Sequence, residues 1–387
     1  MAKYAMLLVL LCSTVLLCSQ SELIINSNIQ PLKDSVENKK LVEAFNAFLN
    51  KAQRTNEEND LVLESEKVET YVLLDEVNGI QKSVKYQDSV FYKPYLTNIV
   101  KLSDKEFFLQ VSYVGVKDTI PLIRASFDFI AHKTKESFLF SSPLKMNTNN
   151  WKIENTGEHS FYYEHTLNKS KANEYSRLVL EFDTKLKSVN TITKVYCFKN
   201  LIHLQRILGV PYKSDYNGHT SSIWTASSGK DQILLLGNNN EAFDNFDPHD
   251  LWHDRLSRVV PRSQVNKPVD EGCAYLYGGS WGMSWKEIFN EFKTQIASDR
   301  NTDWLAVKEN PVYFPTKEFK NNADNIVNAL LIKKIEKEKG FEGVWQLLNC
   351  GKQEKGNQKY FQTLEKITGI NKEKYNAAIW KLIDAEK

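Results

Sequence analysis

Cysteine is scarce in this chain. There are five among 387 residues, and Cys12 and Cys18 fall within the first twenty. Cys197, Cys273 and Cys350 are far apart and form no Cys-x-x-Cys pair. This excludes a disulfide framework and a cysteine zinc knuckle, and predicts buried free thiols. Glycine and proline are sparse too, 16 and 10, so collagen-like and low-complexity architectures fall away. Neither sign of charge dominates: 50 basic against 48 acidic residues give +2. With no long basic tract, nothing gathers nucleic acid. The lysines from Lys333 to Lys374 are balanced by Glu336, Glu338, Glu342, Glu354, Glu365 and Glu373, the pattern of a solvated helix surface. No Gly-x-x-x-x-Gly-Lys phosphate loop is present. Gly278-Gly279-Ser280-Trp281-Gly282 only superficially matches a hydrolase Gly-x-Ser-x-Gly elbow, because no apolar strand leads into it. It reads as a glycine-rich helix end.

What is present is a globular composition, 42% hydrophobic with 12% aromatic residues. That supplies sizeable cores and excludes wholesale disorder. The length suggests two domains. Met1-Ala2-Lys3 is a short basic start, Ala5–Leu17 an apolar run, and Ser19-Gln20-Ser21 a small-residue cleavage pattern. Together they read as a secretory signal peptide over 1–21, and so as an exported protein that is periplasmic, cell-surface or extracellular. Cys18 offers a second reading, a lipoprotein, although Leu17 stands where a small residue is expected. No later stretch is long and apolar enough to span a bilayer.

The mature chain reads as α+β. From 22 to 150, Leu41, Val42, Phe45, Phe48 and Leu49 predict an amphipathic helix over Glu37–Gln53. The β-rich segments Val68–Leu74, Phe107–Val114, Leu122–Ile130 and Ser137–Phe140 predict strands. One long helix followed by a strand meander resembles nuclear-transport-factor-like or cystatin-like domains in architecture. Polar Pro143–Thr156 suggests a boundary. From 151 to 387 the pattern gives a helix (Lys171–Lys187), a strand (Thr193–Phe198) and a helix ended by Gly209 (Leu201–Leu208). Strands Ser222–Ala226 and Gln232–Leu236 follow, and then a largely helical half.

One constellation carries chemistry. Asp247-Pro248-His249-Asp250-Leu251-Trp252-His253 contains His-x-x-x-His. Residues four apart on a helix share a face, so both imidazoles can point at one metal ion. Glu271 opens another expected helix and supplies a candidate third ligand, leaving a fourth position for water. A buried histidine pair on an apolar face with Leu256 and Val260 needs no metal, so the pair alone is weak. His249-Asp250 is also the dyad of HD-type phosphohydrolases, which need further His and Asp ligands on other helices; His219 and Asp244 exist, but their spacing and context do not suggest that all-helical fold.

His249-Asp250-x-x-His253 followed by Glu271-Gly272-x-Ala274 resembles the gluzincin, peptidase-MA-like zinc metallopeptidases. Gly343-Val344-Trp345-Gln346-Leu347-Leu348 and the helices around it are similar to their terminal helices. The resemblance covers about Ser160 to the end. It implies a gluzincin-like α+β domain over 151–387, a zinc ion held by His249, His253 and Glu271, and hydrolysis of a peptide or protein substrate. Asp250 would be the general base, where the family has glutamate. No oxyanion-stabilising residue is fixed, although Tyr275 and Tyr277 are near in sequence. Aspartate is one methylene shorter, so its carboxylate falls about 1.5 Å short, and misplacement on that scale costs about 100-fold in rate. Asp250 is also the acid expected near a helix start. The alternative function is therefore a catalytically inactive module that binds a peptide, a protein or an envelope component.

Overall fold

The computed structural model describes residues 22–29, 32, 34–189, 191–297, 300–315 and 320–386. The expected signal peptide lies outside the described residues. The fold is mixed α+β with a helical carboxy-terminal half. It divides into two compact units: residues up to 167 with 191–243, and residues 168–189 with 244–386.

In the first unit, helix α1 (Ser35–Lys51) begins at Asp34, whose side chain accepts from the N–H groups of Val36 and Glu37, a standard N-cap. It buries Leu41, Phe45, Phe48 and Leu49, the apolar face legible in the sequence. Helix α2 (Lys67–Val77) follows. Strands β1 (Ile24–Ile25), β2 (Lys93–Lys101), β3 (Glu106–Lys117), β4 (Ile120–Lys133) and β5 (Phe138–Ser141) form a sheet in that order. Phe48 packs edge-on to Phe129 at 5.3 Å, which ties α1 to β4. After the single turn α3 (Leu144–Asn147) comes hairpin β6 (Lys152–Thr156) and β7 (His159–Tyr163). Helix α4 (Lys169–Leu186) belongs to the second unit. The chain then returns through β8 (Ile192–Cys197), α5 (Leu201–Leu208), β9 (Tyr212–Lys213), β10 (Ser222–Ser228) and β11 (Asp231–Gly237). The second sheet runs β10-β11-β8-β7-β6, while β9 pairs with β4 of the first.

Two expectations need correction. Val68–Leu74 is helix, not strand. Every residue from Val68 to Leu74 is buried, and a helix covered on all sides shows no 3.6-residue polar stripe. The line near 150 falls inside the first unit, since β6 and β7 join the sheet of β8 and β11. Tyr196, Trp224 and Leu235 of that sheet share one apolar core with Phe45 and Phe129.

The second unit is built from α4, α6 (Pro248–Ser257), α7 (Lys267–Gly278), α8 (Trp285–Ile296), α9 (Trp304–Glu309) and hairpin β12 (Tyr313–Pro315) and β13 (Lys320–Asn322). Helices α10 (Ala323–Leu348), α11 (Gln358–Thr368) and α12 (Lys372–Ala385) complete it. Helix α10 breaks at Gly340, whose φ of +67° suits glycine. Arg255 of α6 donates from Nε and Nη2 to the Asp183 carboxylate of α4, at 2.7 and 2.5 Å. That buried bidentate pair orients α6. Among the described residues, no helix is long and apolar enough to cross a membrane. Cys197 and Cys273 are buried free thiols, and Cys350 is free and half-buried.

Candidate metal centre

Helix α6 starts where the sequence dictates. Asp247 caps it, accepting from the His249 N–H at 2.9 Å, and Pro248 occupies its first turn. The buried face of α6 carries Leu251, Trp252, His253, Arg255 and Leu256. Helix α7 begins at Lys267, so Glu271 lies inside it rather than opening it.

Two glycines set the spacing of α7. At Gly278 a Cβ would meet the Pro248 carbonyl oxygen and the His249 nitrogen at 2.5 Å. At Gly272 it would meet Asn328 Cβ at 2.7 Å. Helix α7 is thereby close against both the start of α6 and α10.

That approach brings His249, His253 and Glu271 together, with one ligand atom from each lying within 4.8 Å of the others. The outer nitrogen of each ring is occupied. His249 Nδ1–H donates to the Gly279 carbonyl at 2.8 Å. His253 Nδ1–H donates to Asp270 Oδ1 at 2.9 Å, and that oxygen also accepts from Trp252 Nε1 at 3.0 Å. A carbonyl and a carboxylate only accept, so the proton sits on Nδ1 of each neutral ring. Both Nε2 lone pairs therefore face inward, 3.2 Å apart. Glu271 oxygens lie 3.6 Å from His249 Nε2 and 4.0 Å from His253 Nε2.

Three electron-pair donors converge where none supplies a proton. Only an added proton or a cation satisfies them. The charge balance agrees. Burial disfavours a charged His249, yet Glu271 and the Gly279 carbonyl outweigh it, and the pKa of His249 is raised above 6.5. Burial likewise opposes the Glu271 charge, and the histidines overcome it, so its pKa falls below 4.5. A tetrahedral zinc with arms of ~2.1 Å separates its ligand atoms by ~3.4 Å. The observed 3.2 and 3.6 Å lie on either side of that spacing, and 4.0 Å requires a small closure. The donor set could hold a metal ion of that size.

Asp250 is exposed and stands outside the ligating cluster. Tyr275 is buried, packs its ring 5.6 Å from that of His249, and donates to Asn321 Oδ1 at 3.1 Å. Tyr277 donates to Glu336 at 2.8 Å and packs on Trp252. His219 and Asp244 are not in the cluster. The Gly278–Gly282 stretch is a helix end, with α7 stopping at Gly278. Sequence reasoning missed Asp270 and the Gly279 carbonyl as partners of the histidines. The one available signal was position: Asp270 precedes Glu271, and Gly279 follows the helix that Glu271 occupies.

No family model and no curated protein matches the chain.

Proposed function

We propose that the protein is an exported zinc metallopeptidase of gluzincin type. The observation that supports this is the inward meeting of two Nε2 lone pairs and a carboxylate, each imidazole fixed from behind by an acceptor. Histidine ligands held by outer acceptors are the usual construction of zinc sites. When bound, zinc polarises a peptide carbonyl and lowers the pKa of a coordinated water to about 7.

The chain's own residues do the rest. His249 and His253 hold the metal in one tautomer, and Glu271 contributes the third, anionic arm. Asp250, exposed on the turn of α6 beside His249, takes a proton from water and returns it to the leaving amine. The test is peptide cleavage by the purified mature chain. Cleavage that needs zinc, stops with chelator and vanishes in Glu271→Ala supports the reading. Cleavage that survives Glu271→Ala contradicts it.

One observation favours a second reading, a non-catalytic peptide-binding module. Asp250 is short, exposed and without a side-chain hydrogen bond or ion pair among the described residues, so nothing holds its carboxylate toward the cluster. Asp250→Glu separates the two. A gain in turnover means an intact site limited by reach. Retained peptide affinity with no turnover in either form means a binder.

A further inference from the structure

Gly340 interrupts helix α10 with a φ of +67° and a ψ of −177°. Nothing lies within 4 Å of the place a Cβ would take there, so space does not call for glycine. The backbone does, because this combination of positive φ and extended ψ is open essentially to glycine alone. The break interrupts the helical hydrogen bonds of α10 and redirects the chain at the residue that follows.

That residue is Phe341. Its ring centre lies 6.2 Å from that of Trp252 on α6, edge to face, and 6.4 Å from that of Tyr277 on α7. The segment before the break grips the same tyrosine. Glu336 accepts from the Tyr277 hydroxyl at 2.8 Å and pairs with Lys185 of α4. Lys185 Nζ stands 4.7 Å from the centre of the Tyr277 ring and 5.8 Å from that of Phe341, within reach of a cation–π attraction. Both sides of Gly340 are thereby fastened to one aromatic group.

Trp252 is the link to the metal centre. It is fully buried, and besides Phe341 it packs on Phe182 at 5.4 Å and Tyr277 at 5.0 Å. An indole has one N–H, in the plane of the ring, so the packing around it aims that donor. The donor meets Asp270 Oδ1 at 3.0 Å, and the same oxygen accepts from His253 Nδ1 at 2.9 Å. Removal of one of the three rings leaves a gap that the surroundings only partly close, and the indole can shift into it. The shift reaches His253 through a single carboxylate.

We propose that Phe341, placed by the Gly340 break, is a positioning residue of the metal centre: its ring holds the Trp252 indole in line with Asp270, and Asp270 holds the His253 imidazole for the ion. This deepens the metal reading and rests on it. Phe341 is not one of the three candidate ligands, so it governs how tightly the ion is held rather than whether a site exists.

The test uses the full mature chain and two readouts. One is the zinc Kd, by competition with a chromophoric chelator. The other is the Trp252 indole N–H resonance of the metal-free protein, assigned by its loss in Trp252→Phe. In Phe341→Ala zinc still binds, with a Kd about fivefold higher, and the indole resonance shifts and exchanges faster with solvent. Phe341→Tyr restores both to within about twofold of the wild type, since the ring is kept. Gly340→Ala moves both signals in the direction of Phe341→Ala. Phe361→Ala is the control. That ring of α11 packs on Tyr360 and Tyr375 with Lys372 Nζ 5.2 Å from its centre, and its loss leaves both signals in place. Unchanged signals in Phe341→Ala, or an equal loss in Phe361→Ala, overturns the proposal. The two readouts keep the two ideas apart. No zinc in the wild type, with an indole signal that still depends on Phe341, sinks the metal reading and sustains the hold on Asp270; zinc bound with neither signal moved does the reverse.

Discussion

Two polar clusters of the second unit end differently. In one, Lys308 Nζ lies 3.3 and 3.5 Å from the two oxygens of Asp324 and 3.7 Å from the centre of the Tyr360 ring. Tyr360 donates to Asn328 at 2.9 Å, and Asn328 donates to the Asp324 carbonyl at 2.7 Å. A cation meets an anion, and donors meet acceptors. Burial pushes the Lys308 pKa down and that of Asp324 up, each opposed by its partner. In the other cluster, His249, His253 and Glu271 point acceptor at acceptor. The first cluster closes on itself and needs nothing from outside. The second is left open by one cation, and this imbalance, rather than burial or charge alone, marks a group that could hold a metal ion.

The comparison is broken most forcefully at the closed cluster. Lys308→Ala strands a buried carboxylate and should cost about 3–5 kcal/mol in urea unfolding, with zinc content per folded chain unchanged. The double substitution His249→Ala, His253→Ala should cost the metal-free protein only about 1 kcal/mol. Equal costs would erase the distinction. Zinc sharpens the comparison from the other side. At about a thousandfold excess over its Kd it should add about 4 kcal/mol to stability. That gain should be reversed by chelator, absent from the double variant and retained in Lys308→Ala.

Gly278→Ala comes next. Its methyl would lie 2.5 Å from the Pro248 and His249 backbone. The start of α6 must move, at about 1–3 kcal/mol, and zinc affinity should fall with it. Asp270→Ala frees the His253 ring and should weaken zinc binding by about 10–100-fold. The emission of Trp252, which shares that carboxylate, should change, whereas a Lys308 variant should leave it alone.

The smallest effect is that of pH. The raised pKa of His249 stabilises the metal-free fold below 6.5, and that contribution is lost as pH climbs through the folded value. The lowered pKa of Glu271 stabilises above 4.5 and is lost as pH falls through its folded value. Zinc competes with the His249 proton, so its affinity should rise over the range where the metal-free protein loses that contribution. Melting curves with and without zinc from about pH 6 to 8 should therefore diverge upward.

The parts of the fold written in local pattern were legible. Helix α1 showed its face, β3 and β4 showed as β-rich segments, and Gly209 marked the end of α5. Helix α2 was not legible because its burial on all sides removed the period. The line at 150 failed because β6 and β7 are placed by partners far along the chain. At the site, His249, His253 and Glu271 were readable because a helical i, i+4 pair followed by a carboxylate is a local pattern. Asp270 was not, since an aspartate in the first turn of a helix reads as a dipole partner until the approach of Trp252 and His253 is known. Gly278 read only as part of a helix end; its second duty, admitting the backbone of α6, exists only in the packed unit.

The most direct test of the open cluster is the metal content of the purified chain beside the His249→Ala, His253→Ala variant. The account predicts about one tightly held zinc per wild-type chain, and none in a variant that remains folded. Folded wild-type protein without zinc, whose melting temperature does not respond to added metal, would contradict it.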